Sequence, residues 1–155
     1  MTAESVEPPS PPKTVAEMLE RVDESWRPFS EAINRLPGER LGEQIGDGWT
    51  RKQMLGHIAA WHELTIERLV AFMADGQVHR LQEDDDVVNA RVARRSDGRT
   101  AGEVVDAVET TFRRLRRQVA FLTDEQLAAH DGWAAAVIAG NTYEHYAEHI
   151  RDLES

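Results

Sequence analysis

Apolar residues first fall into a regular stride at Val22, Trp26, Phe29, Ile33 and Leu36, spaced 4, 3, 4 and 3 residues apart. That stride returns to one side of an α-helix at each turn and predicts a buried seam of the bundle kind. Thr14 and Glu17 stand at the spacing at which two residues satisfy each other's free backbone donors, so the helix is expected to begin after Thr14. Pro28 lies inside the seam and predicts a kink or a split; Pro37-Gly38 ends the helix. A loop with Gly42, Gly46 and Gly48 leads to Thr50 and Gln53, a second pair at capping spacing. A second helix is predicted from about Arg51 to Asp75, with Gly76 as its stop. Met54, Ile58, Trp61, Thr65, Leu69 and Phe72 mark its inner face.

The pattern then weakens. Val87, Val88 and Val92 allow a short helix after the acidic run Glu83–Asp86, and Ser96-Asp97-Gly98 reads as a turn. Thr100 and Glu103 form a third capping pair, ahead of a seam at Val108, Phe112, Leu115, Val119 and Leu122. Thr123 and Gln126 predict a short helical segment before Asp131-Gly132. The last helix falls between Trp133 and Leu153, with Ile138, Thr142, His145 and His149 facing inward. No stretch alternates as a strand does, and no long repeat is present. The expected fold is all-α: an antiparallel four-helix bundle over residues 14–155. Residues 1–13, with Pro8, Pro9, Pro11 and Pro12 among serine and glutamate, are expected to form a disordered tail.

At 155 residues, 41% hydrophobic and 30% charged, the chain suits one soluble domain that can bury a core without staples. A metal, if present, need not be structural. The absence of cysteine excludes disulfides, a cysteine nucleophile and thiolate ligands, and fits a reducing cytoplasm. A net charge of -10 repels phosphate, so neither a nucleic acid nor a membrane surface is an expected partner. No basic-then-apolar leader and no stretch of membrane-spanning length is seen, and a cytoplasmic location is expected.

Candidate chemistry lies in the histidines. His145 and His149 are four residues apart on an inner seam, so both imidazoles leave one face of the helix one turn apart. Burying two imidazoles without partners costs free energy unless something binds them. His57 follows Met54 by three and precedes Trp61 by four, on or beside the inner face of the second helix. In a bundle one ligand from one helix can meet an i,i+4 pair from another. Three imidazoles would leave a coordination position for water or substrate. Spacing alone leaves two readings open, a metal site and satisfied core histidines. His145 to His149 also fits the H-x-x-E-H zinc-protease pattern. That family's downstream acidic ligand is not expected within the six residues after His149, so the protease reading is set aside. Glu148, within one turn of both histidines, is a candidate general base or anchor, against the plainer reading of a solvated glutamate. His62, His79 and His130 fit no common geometry and are expected at the surface. Trp49 and Trp61 read as core, or as walls of a pocket. The clusters Arg113, Arg114, Arg116, Arg117 and Arg91, Arg94, Arg95 read as solvated faces, or as a grip for an anionic cosubstrate.

Gly48-Trp49-Thr50 through His57-Ile58-Ala59-Ala60-Trp61 resembles the second-helix signature of the DinB-like (YfiT-like) superfamily of metalloenzymes. The ending Asn141-Thr142-Tyr143-Glu144-His145-Tyr146-Ala147-Glu148-His149 is similar to that family's last helix, and Asp84–Asn89 to a middle segment of some members. The resemblance implies an up-down-down-up bundle with a long crossover and a three-histidine site at His57, His145 and His149. It also implies a homodimer. Related activities include thiol-dependent isomerases and transferases, beside a branch resembling colibactin self-resistance proteins. The expected function is a metal-dependent hydrolase or transferase that uses a low-molecular-weight thiol. Zinc, nickel, iron or manganese would be its cofactor and a small electrophile its substrate. The alternatives are a small-molecule binding or self-protection bundle and a dimeric interaction module.

Overall fold

The computed structural model describes residues 10–46 and 48–155. Residues 1–9, on which most of the expected tail falls, and Asp47 lie outside the described residues. Ser10–Lys13 have no regular secondary structure but lie against the first helix. The Arg21 guanidinium donates to the Ser10 carbonyl at 2.8 Å, and Pro12 is buried.

The helices are α1 (Val15–Arg35), α2 (Arg51–Asp75), α3 (Asp85–Asp97), α4 (Ala101–Ala120), α5 (Asp124–Asn141) and α6 (Tyr143–Glu154). A 3-10 turn, Gly38–Gly42, precedes α2. Thr50–Gln53, Thr100–Glu103 and Thr123–Gln126 close as reciprocal capping boxes. At α1 the box is half made: Thr14 accepts from the Glu17 N–H, while the Glu17 carboxylate accepts from the Lys13 N–H instead. Gly76 ends α2 in the left-handed region at φ 71°. α1 runs unbroken through Pro28, so the expected split does not occur. Val22 and Phe29, on either side of Pro28, are both buried in the core.

Helix directions follow from the contacts. Lys52 donates to the Arg99 carbonyl, His62 meets Thr111 and Gln118 reaches Met73, so α2 and α4 run parallel. Asp23 pairs with Arg116 and Trp26 stacks on Phe112 with ring centroids 4.1 Å apart, so α1 is antiparallel to α4. Arg21 lies over Tyr143 and Phe29 against Tyr146, so α6 runs with α1. The bundle is up-down-down-up, with α3 inside the long crossover that joins the parallel pair. Its fourth member is broken. α5 leaves helical geometry at Ala129–Gly132, where His130 and Asp131 take φ of 52° and 56°. The chain bends again at Thr142 before α6.

α2 is enclosed on several sides. Leu55, Ile58, Leu69 and Phe72 join the main core with α1, α4, α5 and α6. Trp61 instead packs with Val88 and Val92 of α3 in a second, smaller cluster. The surface position expected for His62 is incorrect: it is fully buried. Positions 58, 62, 65 and 69 repeat the bundle stride as well as 58, 61 and 65 do, and α3 takes the Trp61 side. The Thr111 hydroxyl donates to the Val108 carbonyl, so its oxygen accepts from His62 Nδ1–H at 2.8 Å. Tyr146 O–H then donates to His62 Nε2 at 2.6 Å. Burial holds His62 neutral, with its pKa pushed down to about 3, and pushes the Tyr146 phenol up.

α3 sits close on α2 because of Gly56. A Cβ at that position would collide with Ser96 Oγ, itself buried and donating to the Val92 carbonyl. Gly56→Val should therefore lift α3 and cost about 1–3 kcal/mol, measured as a lower urea midpoint; an unchanged midpoint would show that α3 is not seated by this contact.

Candidate metal centre

His57 leaves α2 within two turns of its start, and His145 and His149 leave α6 one turn apart. The fold brings all three together. His57 Nε2 and His145 Nε2 are 2.7 Å apart, and one ligand nitrogen from each ring lies within 4.8 Å of the others. Ring centroids are 4.7 Å apart for His57–His145, 5.4 Å for His57–His149 and 4.9 Å for His145–His149. Each residue is 8% exposed, so the cluster is nearly dry. The Trp49 ring lies 5.1 Å from that of His57.

The surroundings assign two of the protons. The indole N–H of Trp61 can only donate, and it meets Asn89 at 2.8 Å, which identifies that amide atom as the oxygen. The same oxygen lies 2.9 Å from His57 Nδ1, which must donate to it. His57 Nε2 therefore presents a lone pair. The Asp152 carboxylate lies 3.3 Å from His149 Nδ1 and draws that residue's proton the same way. His145 has no equivalent. Its Nδ1 is buried without a hydrogen-bond partner among the described residues. A proton on Nε2 would satisfy His57 but leave Nδ1 an unmet acceptor; a proton on Nδ1 sets two lone pairs face to face. Burial above all, then the neighbouring imidazoles His57, His149 and His62, push the His145 pKa down to about 3. Three imidazoles whose ring nitrogens converge are a donor set that a divalent metal fits.

The end of α6 is fixed by Arg51, which is 4% exposed. Its guanidinium donates to the carbonyls of Asp152, Ser155 and Arg40 and to Glu43, whose carboxyl the two arginines hold below the usual range. The first turn of α2 thus anchors the last turn of the helix that carries His149. Glu148 is exposed and makes no hydrogen bond or ion pair among the described residues. His79 pairs with Asp75, and His130 reaches the Gly76 carbonyl; neither joins the cluster. Asn89 and Asp152 were not legible as site residues. Asp152 stands one turn beyond His149 and helical spacing could have found it, whereas Asn89 comes from another helix, inside the segment Asp84–Asn89 that resembles the family, and no spacing ties it to His57.

Residues 21–152 match the family model of the DinB superfamily. Among proteins of curated function, none matches the sequence. Among solved structures, the chain is similar to the colibactin self-resistance protein ClbS in complex with a dsDNA (TM-score 0.79, 11% identity, 94% of this chain and 96% of that one). It is also similar to an uncharacterised protein from Escherichia coli UTI89 (0.75, 18%, 92% of each chain). A Streptococcus pneumoniae protein aligns too (0.70, 11%, 98% and 93%). The ClbS complex overturns the expectation, drawn from net charge, that nucleic acid is excluded as a partner. Net charge is a property of the whole molecule, and it says nothing of how cationic side chains are grouped on one face. Among the described residues no helix is long and apolar enough to cross a membrane.

Neutral burial of His62 and His145 makes the metal-free fold acid-labile. Burial pushes both down to about 3 from the ordinary histidine value of 6.5, so the unfolded chain takes up protons first as the pH falls. Their stabilisation is full above 6.5 and is lost toward 3, at up to about 1.4 kcal/mol per pH unit for each group. Urea midpoints should drop between about pH 7 and pH 5, above the range where carboxylates titrate, with a shallower slope in His62→Gln. Flat midpoints over that interval would refute neutral burial.

Proposed function

The chain belongs to the DinB superfamily, and from that premise we propose that it is a metal-dependent enzyme whose ion is held by His57, His145 and His149. The convergence of three buried imidazoles with one nitrogen unmet is the observation that carries this reading. Zinc, nickel, iron and manganese all suit imidazole ligands. When bound, such an ion supplies Lewis acidity to a small electrophile, or to the water or thiol that attacks it. The protein's own part is to orient and to exclude water. Asn89 and Asp152 aim His57 and His149, while Trp49 and Trp61 shield the rings. Glu148, exposed and adjacent to His149, is the proposed general base, able to take a proton from an incoming nucleophile and pass it to solvent. The reaction is hydrolysis, or transfer to a low-molecular-weight thiol in the cytoplasm. The family resemblance supports the thiol and a homodimer.

A second reading is a self-protection bundle without catalysis. It is favoured by the fold shared with the self-resistance protein ClbS. Arg113, Arg114 and Arg117 of α4 are exposed and offer that reading a cationic patch.

Metal content separates the two. Protein purified without chelators should carry close to one transition metal per chain, and a His145→Ala/His149→Ala variant none. Added zinc at about a hundredfold excess over its dissociation constant should stabilise the parent by about 2.7 kcal/mol. A parent that takes up no zinc, nickel or manganese would overturn the metalloenzyme and favour the binding bundle.

A further inference from the structure

Asn89 of the crossover helix touches the histidine cluster at His57. It is half-buried, and its side-chain oxygen accepts two hydrogen bonds, from Trp61 Nε1–H at 2.8 Å and from His57 Nδ1–H at 2.9 Å. Trp61 and His57 stand four residues apart on α2, so one amide oxygen spans one helical turn. The indole has a single possible role, donor. It orients the amide, and the amide in turn selects the histidine tautomer.

Docking of α3 does not need this contact. Val88 and Val92 pack on Trp61, Ser96 sits against Gly56, Lys52 donates to the Arg99 carbonyl, and Gln53 donates to Asp97. These contacts run along α3 and into the link beyond it, and they would hold the helix in place with an apolar residue at position 89. What would then be lost is an acceptor for the His57 Nδ1 proton. Its loss shifts the balance toward a proton on Nε2, which blocks the lone pair facing His145.

We propose that Asn89 is a positioning residue of the centre, reading the Trp61 indole and holding the His57 proton on Nδ1 so that Nε2 stays open to a metal. The proposal rests on the metal-centre reading. An amide oxygen in this role carries no charge, so it orients the ligand without neutralising the ion that the ligand holds. That contrasts with His149, whose proton is drawn by the Asp152 carboxylate.

The test pairs two readouts on the full chain. Long-range proton–nitrogen NMR of metal-free protein reports the His57 tautomer, and a zinc titration reports affinity. The parent should show Nδ1–H. Asn89→Leu should shift the tautomer toward Nε2–H and weaken zinc binding by about 10- to 100-fold, with helix content and urea midpoint close to the parent's. Asn89→Asp should restore the tautomer and bind zinc at least as tightly as the parent. Trp61→Phe frees the amide to turn its NH2 toward His57 and should give a mixed tautomer with Asn89 intact. If Asn89→Leu fails to fold, the Asp and Phe variants carry the test alone, and an unmixed Nδ1–H tautomer in Trp61→Phe overturns the relay. Zinc binding by the parent with tautomer and affinity unchanged in Asn89→Leu overturns the role of Asn89 and leaves the centre standing. A parent that binds no zinc overturns the centre and this role with it.

Discussion

α2 is packed against by other helices on several sides, and part of its polar complement has nowhere to point but inward. Arg51, His57, His62 and Thr65 are all buried along it. Each must find its hydrogen bonds inside the protein or pay the cost of desolvation. Thr65 returns its hydroxyl to the Trp61 carbonyl one turn back. Arg51 gathers the carbonyls at the end of α6 and so locks the first turn of one helix to the last turn of another. The crossover helix exists, in this light, to close the remaining side of α2, and Gly56 sets how near it comes.

The two buried histidines of α2 show how partners, rather than burial, divide structure from chemistry. His62 donates to the Thr111 hydroxyl oxygen, whose own hydrogen is committed to Val108, and accepts from the Tyr146 phenol, so its hydrogen bonds are complete. Nothing is left over for a ligand. His57 is oriented on its far side by Asn89, while its near side faces two further rings of the same kind. Equal depth gives a closed polar knot in one case and an open set of donors in the other.

The bundle was legible because its helices obey simple rules. Capping pairs marked four helix starts, the 4-3 stride marked the seams of α1 and α4, and Gly76 marked a stop. His145 and His149 were legible because helical spacing is local and their seam had turned polar. Of the kink or split expected at Pro28, the split does not occur, since α1 continues as one helix from Val15 to Arg35. His62 was misread because an enclosed helix has no single inner face: a wheel that assigns Trp61 inward must turn His62 outward, and α3 removes that choice. Charge misled on nucleic acid because a sum over the chain discards position. Asn89 could not be found from spacing at all, since the turn of α2 that it bridges lies 28 and 32 residues away, across a crossover.

His57 and His145 are separated by 88 residues. In a chain emerging from the ribosome, α2, α3 and α4 can pair while α6 is still unmade, and for all that time the first imidazole waits alone. The cluster is assembled only by the last helix, which follows two interruptions at Ala129–Gly132 and Thr142. Convergence of the three imidazoles is therefore a property of the chain only once α6 has folded. A chain that lacks α6 holds one member of the cluster, His57, and has no set of converging imidazoles to offer.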